Sequence, residues 1–73
     1  MFDYSKLHGR IREKFKTQAA FAEKMHLSER TVSLKLNQRV EFSQKEIVKA
    51  ADILQIEDSE IHSYFFTSIV QKR

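Results

Sequence analysis

Three histidines, ten carboxylates and thirteen Lys or Arg side chains are the groups of this 73-residue chain that could carry chemistry. His8, His26 and His62 share no i, i+3 or i+4 relation, and there is no cysteine to join them, so no zinc-ligand pattern exists. The lack of cysteine also removes disulfides and thiolate nucleophiles. Glu57, Asp58 and Glu60 crowd together just before an apolar run. There they read as acids complementing the positive end of a helix dipole, not as a general acid and base. No glycine-rich phosphate loop or nucleophile elbow occurs. No catalysis, cofactor or metal is expected.

The cations are more informative. The net charge of +3 divides unevenly along the chain. Residues 1–40 carry nine basic and four acidic residues, +5, and residues 41–73 carry four basic and six acidic, −2. A positive half beside a negative one suggests one face that attracts anions, with a chance asymmetry of a solvated surface as the plain alternative. Arg10, Arg12, Lys14 and Lys16 form a basic run. At 41% apolar and 32% charged the composition is globular. No apolar stretch approaches the roughly 20 residues of a membrane span, and the opening Met1-Phe2-Asp3 lacks a signal-peptide pattern. A cytoplasmic location in a bacterial cell is expected.

With no proline and the single Gly9, the elements holding these groups should be helices. Leu7, Ile11 and Phe15 recur every four residues between Tyr4 and Phe15, one stripe of a helix that Gly9 weakens by about 1 kcal/mol. Thr17 can N-cap a second helix whose inner face is Phe21, Ala22 and Met25. Ser28 can cap a third, with Val32 and Leu36 inward. From Ser43 to Leu54, Ser43 and Glu46 form a capping-box pair, and Ile47, Ala50, Ala51 and Leu54 follow at i, i+3, i+4 and i+7. Asp58 can cap a fifth helix with Ile61 and Phe65 inward. The expected fold is all-α, five helices in a single domain over residues 1–73.

Between Thr17 and Asn37 two short helices meet at the turn His26-Leu27-Ser28. Small Ala22 allows a close crossing, and Met25, Leu27, Val32 and Leu36 pin the angle. That leaves Ser28, Glu29, Arg30, Thr31 and Ser33 pointing outward, a helix start that can lie in the DNA major groove. The Arg30 fork matches guanine O6 and N7, with a surface ion pair to Glu29 or Glu23 as its alternative. Glu29 can accept from cytosine N4 or simply balance the helix dipole. The Ser28 hydroxyl divides between capping and contact. Thr31, Ser33, Lys35, Asn37, Gln38 and Arg39 are candidates for backbone contacts, and Lys14 and Lys16 would add sequence-independent affinity.

Gln18, Phe21-Ala22, Leu27-Ser28, Thr31-Val32-Ser33 and Asn37 resemble the helix-turn-helix of the Cro and phage-repressor (XRE-like) family. The likeness extends over roughly Tyr4 to Phe66. At this length the chain is similar to short Cro-like proteins or to the small modulator-of-repression antirepressors of Gram-positive temperate phages. The resemblance implies that Gln18, with Thr17 beside it, holds a phosphate oxygen. Three positions depart from the pattern. His26 stands for the turn glycine, Gln38 for the glycine after Asn37, and Leu34 for a polar base reader, where it could touch a thymine methyl.

The functional expectation is a sequence-specific repressor on double-stranded operator DNA, acting as a homodimer with half-sites about 34 Å apart. The alternative is an antirepressor that binds a partner phage repressor. The tail from residue 66 to 73 has two readings: a last helical turn packed on the core, or a dimer contact through Phe65, Phe66, Ile69 and Val70.

Overall fold

A computed structural model describes residues 1–69 of the chain. Each central helix starts at a hydroxyl that satisfies a free N–H group of its first turn. Helix α1 (Ser5–Phe15) is followed by α2 (Gln18–Met25), where Thr17 Oγ1 accepts from the Ala20 N–H at 3.1 Å. Helix α3 (Glu29–Leu36) is capped by Ser28 Oγ, which accepts from the Thr31 N–H at 3.0 Å. Helix α4 (Gln44–Ile53) has the full capping box. The Glu46 N–H donates to Ser43 Oγ at 3.1 Å, and the Ser43 N–H donates to Glu46 Oε1 at 2.9 Å.

The fifth helix differs from expectation. A short 3-10 turn, Asp58–Glu60, runs directly into α5 (Ile61–Phe65), and Asp58 is its first residue rather than the cap. Glu57 holds the cap position, its N–H donating to Glu60 Oε1 at 3.4 Å.

The joins are tight because four non-glycine residues take positive φ: Lys16 at 68°, His26 at 61°, Gln38 at 60° and Gln55 at 56°. His26 sits in the left-handed region that its glycine-like place in the turn requires. Lys16 centres a three-residue turn in which the Thr17 N–H donates to the Phe15 carbonyl at 2.7 Å.

The inner stripes close on one core. Leu7 and Ile11 of α1, Phe21, Ala22 and Met25 of α2, Val32 and Leu36 of α3, and Ala50, Ala51 and Leu54 are all buried, with Ile56, Tyr64 and Phe65 completing the cluster. Phe42 joins Tyr4 and Phe65 edge-on at centroid distances of 5.7 and 5.6 Å. Phe65 is therefore core, and at 1% exposed it has almost no surface to offer the dimer contact expected of it.

Residues 66–69 do not form a helical turn, and the rest of the tail lies outside the described residues. The Asp3 N–H donates to the Thr67 carbonyl at 2.7 Å and the Ile69 N–H to the Met1 carbonyl at 3.2 Å, pairing the two ends antiparallel across Phe2 and Ser68. Gln38 fastens this clasp. The Phe2 N–H donates to its Oε1 at 2.7 Å, and its Nε2 donates to the Phe2 carbonyl. Among the described residues no helix is long and apolar enough to cross a membrane.

Candidate interaction faces

The α2–α3 junction is built as its residues require. The Leu27 N–H donates to the Ala22 carbonyl at 3.0 Å and the His26 N–H to the Glu23 carbonyl at 3.1 Å, which ends α2. Val32 and Leu36 are buried, Leu27 is half-buried, and small Ala22 lies inside the contact between the helices.

The outward side of α3 carries Ser28, Glu29 and Arg30 exposed, with Thr31, Ser33 and Leu34 half-buried. Arg30 forms no ion pair with Glu29 or Glu23 among the described residues, so its guanidinium is free to meet a partner. Ser28 is engaged locally, since its hydroxyl also donates to Thr31 Oγ1 at 2.9 Å. Asn37 folds back on its own helix, its Nδ2 donating to the Ser33 carbonyl at 2.9 Å and to Ser33 Oγ at 3.3 Å. Arg39 is exposed just beyond. Thr17 is occupied as a cap, and Gln18 is half-buried at the start of α2.

Three expected phosphate ligands are directed elsewhere. Lys35 is buried, its Nζ 2.9 Å from Glu46 Oε1 and donating to the Glu41 carbonyl at 2.9 Å. Burial works against the Glu46 carboxylate. The Lys35 hydrogen bond, the Ser43 N–H and the attraction of the ammonium outweigh it, and the carboxyl sits below its ordinary pKa. Gln38 holds Phe2, and Lys14 Nζ donates to Gln55 Oε1 at 2.7 Å. Helical spacing also splits the basic run. Arg10 turns to the end of α4, where Nε donates to the Leu54 carbonyl at 2.9 Å and Nη2 to the Gln55 carbonyl at 3.1 Å. Such cation-to-carbonyl bonds satisfy a helix C-terminus. Arg12 and Lys16 point instead to a second stripe, beside Thr17 and Gln18.

Another face is apolar. Met1, Val40, Phe66 and Ile69 are large, exposed side chains. The first three rim a groove of about 390 Å³ lined also by Phe2, Tyr4, Phe42 and Phe65. Phe2 and Phe66 meet edge-on at 5.7 Å. Burial, with Glu41 nearby, raises the pKa of the Tyr4 hydroxyl. Of the tail residues expected at a contact, Phe66 and Ile69 lie on this face, and Val70 lies outside the described residues. Met1 and Val40 were missed in the sequence. Val40 alone gave a signal, as an apolar residue stranded between Arg39 and Glu41 with no helix to place it.

Residues 1–68 match the family described as Protein of unknown function (DUF739), and the chain belongs to it. Among solved structures, it is similar to the modulator of repression of the temperate bacteriophage TP901-1 from Lactococcus lactis. That likeness has 50% identity and a TM-score of 0.81, and it covers 96% of this chain and 95% of that one. Among curated proteins none matches.

Proposed function

We infer that this protein is a modulator of repression that acts on a partner phage repressor through protein–protein contacts. The observation that carries this reading is the likeness to the TP901-1 modulator, at half of all positions and over nearly the whole of both chains. Two features of the molecule support it. The groove rimmed by Met1, Val40 and Phe66 offers apolar area of the kind a protein partner covers. Lys14, Lys35 and Gln38, which an operator-binding protein would turn toward phosphates, hold the fold together instead.

The test uses the repressor encoded by the same phage or prophage genome. On mixing, the two proteins should co-elute on gel filtration, and operator occupancy by the repressor should fall as this protein is added. Phe66→Glu, which places a charge on the groove rim, should weaken both effects at least tenfold. Repressor occupancy that ignores a large excess of the protein would refute the reading.

The exposed, unpaired Arg30 favours a second reading, operator binding by α3 as a homodimer. Selection from random duplexes would then enrich a motif, and Arg30→Ala would relax preference at one base pair.

A further inference from the structure

The groove rimmed by Met1, Val40 and Phe66 has apolar walls but one charged side chain in its lining, Glu41. That carboxylate is exposed. Among the described residues it pairs with no cation, neither the Met1 ammonium nor the nearby Arg39. Only the backbone carbonyl of Glu41 is engaged, as an acceptor from Lys35 Nζ at 2.9 Å. Tyr4 lines the same groove. Its hydroxyl has a raised pKa, first through burial and then through the Glu41 charge, and no hydrogen bond contributes to the shift. A carboxylate and a phenol oxygen thus lie within electrostatic reach of each other in an aromatic setting.

Rings supply much of the remaining wall. Phe2 meets Phe66 edge-on at 5.7 Å and lies 6.3 Å from Tyr4, and Tyr4 meets Phe42 edge-on at 5.7 Å. The face of such a ring is negative and attracts cations. The molecule already uses this attraction twice. The Lys6 ammonium is 4.5 Å from the Tyr64 ring centre, and the Lys35 ammonium is 5.9 Å from that of Phe42. At about 390 Å³, against roughly 30 Å³ for one water, the groove has room for a long side chain.

This chemistry selects the occupant. A wholly apolar side chain would displace water from Glu41 and the Tyr4 hydroxyl and give no hydrogen bond in return. A lysine ammonium is a strongly hydrated point charge. A guanidinium is weakly hydrated, stacks on aromatic faces and carries five donors in its plane, so it satisfies the carboxylate, the phenol oxygen and the rings together.

We propose that the groove takes an arginine side chain from the operator-contacting surface of the partner repressor, its guanidinium held by Glu41 against the aromatic wall. This rests on the repressor reading and names the group that the contact recognises. Proteins that bind operators use arginine to meet phosphates and guanine edges. An arginine held in the groove is withdrawn from DNA, so capturing the repressor and lowering its operator occupancy become one event.

The first test needs no repressor. N-acetyl-argininamide, N-acetyl-lysinamide and N-acetyl-leucinamide are titrated separately into the full chain, followed by amide and aromatic NMR shifts. The arginine probe should shift Tyr4, Glu41 and Phe66 at lower concentration than the other two, and Glu41→Gln should remove that advantage. An equal response to the leucine probe would overturn the proposal. The second test measures affinity for the repressor encoded by the same phage or prophage genome. Glu41→Gln should weaken it about tenfold, the effect of one hydrogen bond between charged groups. That loss should be non-additive with alanine at one arginine of the repressor's operator-contacting surface. Equal affinity of the unmodified protein and Glu41→Gln, or additivity at every such arginine, would overturn this proposal and leave the repressor reading standing. Failure of the unmodified protein to bind the repressor would overturn both. The substitution spares the carbonyl that holds Lys35, and an unchanged thermal unfolding curve establishes that the variant folds.

Discussion

Replacing Lys35 by methionine keeps the aliphatic stem against the Phe42 ring, which the ammonium overlies at 5.9 Å, and removes only the charge and its donors. Two bonds are lost, each at 2.9 Å: one to Glu46 Oε1 and one to the Glu41 carbonyl. A hydrogen bond to a charged group contributes about 1.5–3 kcal/mol. The Lys35 side chain is 8% exposed and the Glu46 side chain 24%, so water can partly rehydrate the abandoned carboxylate. Its remaining bond to the Ser43 N–H also persists. The loss should therefore fall near the lower end for two such bonds, about 3 kcal/mol. A chain of this length is stabilised by roughly 4–11 kcal/mol in total. At about 4–8 °C per kcal/mol, Tm should drop by roughly 12–24 °C. Thermal unfolding followed at 222 nm measures the shift, and a cycle with Glu46→Gln isolates the pair, whose coupling should exceed about 1 kcal/mol. Apolar replacement of a buried ion pair can be neutral or stabilising. A Lys35→Met protein as stable as the original would thus refute the claim that this pair ties α3 to α4.

Two glycine substitutions at similar φ should have opposite signs. His26→Gly relieves left-handed strain at a position where the side chain makes no polar contact among the described residues, and should raise stability by about 0.5 kcal/mol in urea unfolding; a loss would show that the imidazole is needed. Gln38→Gly relieves comparable strain but releases both backbone groups of Phe2, and should lower stability by about 1 kcal/mol; a gain would mean that the amide clamp contributes nothing. The carboxyl of Glu46 has a lowered folded pKa, so its contribution is complete above the ordinary carboxylate value and is lost as pH falls through the lower folded one. Glu46→Gln should flatten the acid limb of a stability-against-pH series, and parallel curves would refute that assignment.

What the sequence makes legible is local. Thr17, Ser28 and the Ser43–Glu46 pair mark helix starts because capping involves residues only three apart. The stripes of α1 and α4 identify core residues because burial follows the 3.6-residue period. What stays hidden depends on partners far away in the chain. Lys35 looks like any exposed cation until Glu46 closes over it, and Arg10 and Lys14 cannot be separated from Arg12 and Lys16 until α4 ends beside them. Gln38 occupies a glycine-like place for a reason that lies at Phe2, 36 residues away. The tail's β-branched, apolar composition suits either a helix turn or an extended segment, and only the N-terminal backbone decides between them. The polarity of charge between the two halves is weaker in three dimensions than along the chain, since several first-half cations serve the second half's helices.

The clasp between Met1–Asp3 and Thr67–Ile69 also sets how readily one part of the molecule opens. The core also joins distant parts of the chain, α1 packing on α5 and α2 on α4, but the clasp closes a loop of almost the entire chain outside that core. With Met1, Ser68 and Ile69 exposed, few buried atoms hold it, and it should open more readily than the core. In hydrogen exchange, the Asp3 and Ile69 amides should open at a fraction of the free energy of Phe21 or Val32. Because Met1, Phe2 and Phe66 line the apolar groove, opening the clasp should remove one of its walls. The full shape of the groove should thus follow a local equilibrium, separable from the stability of the helical core.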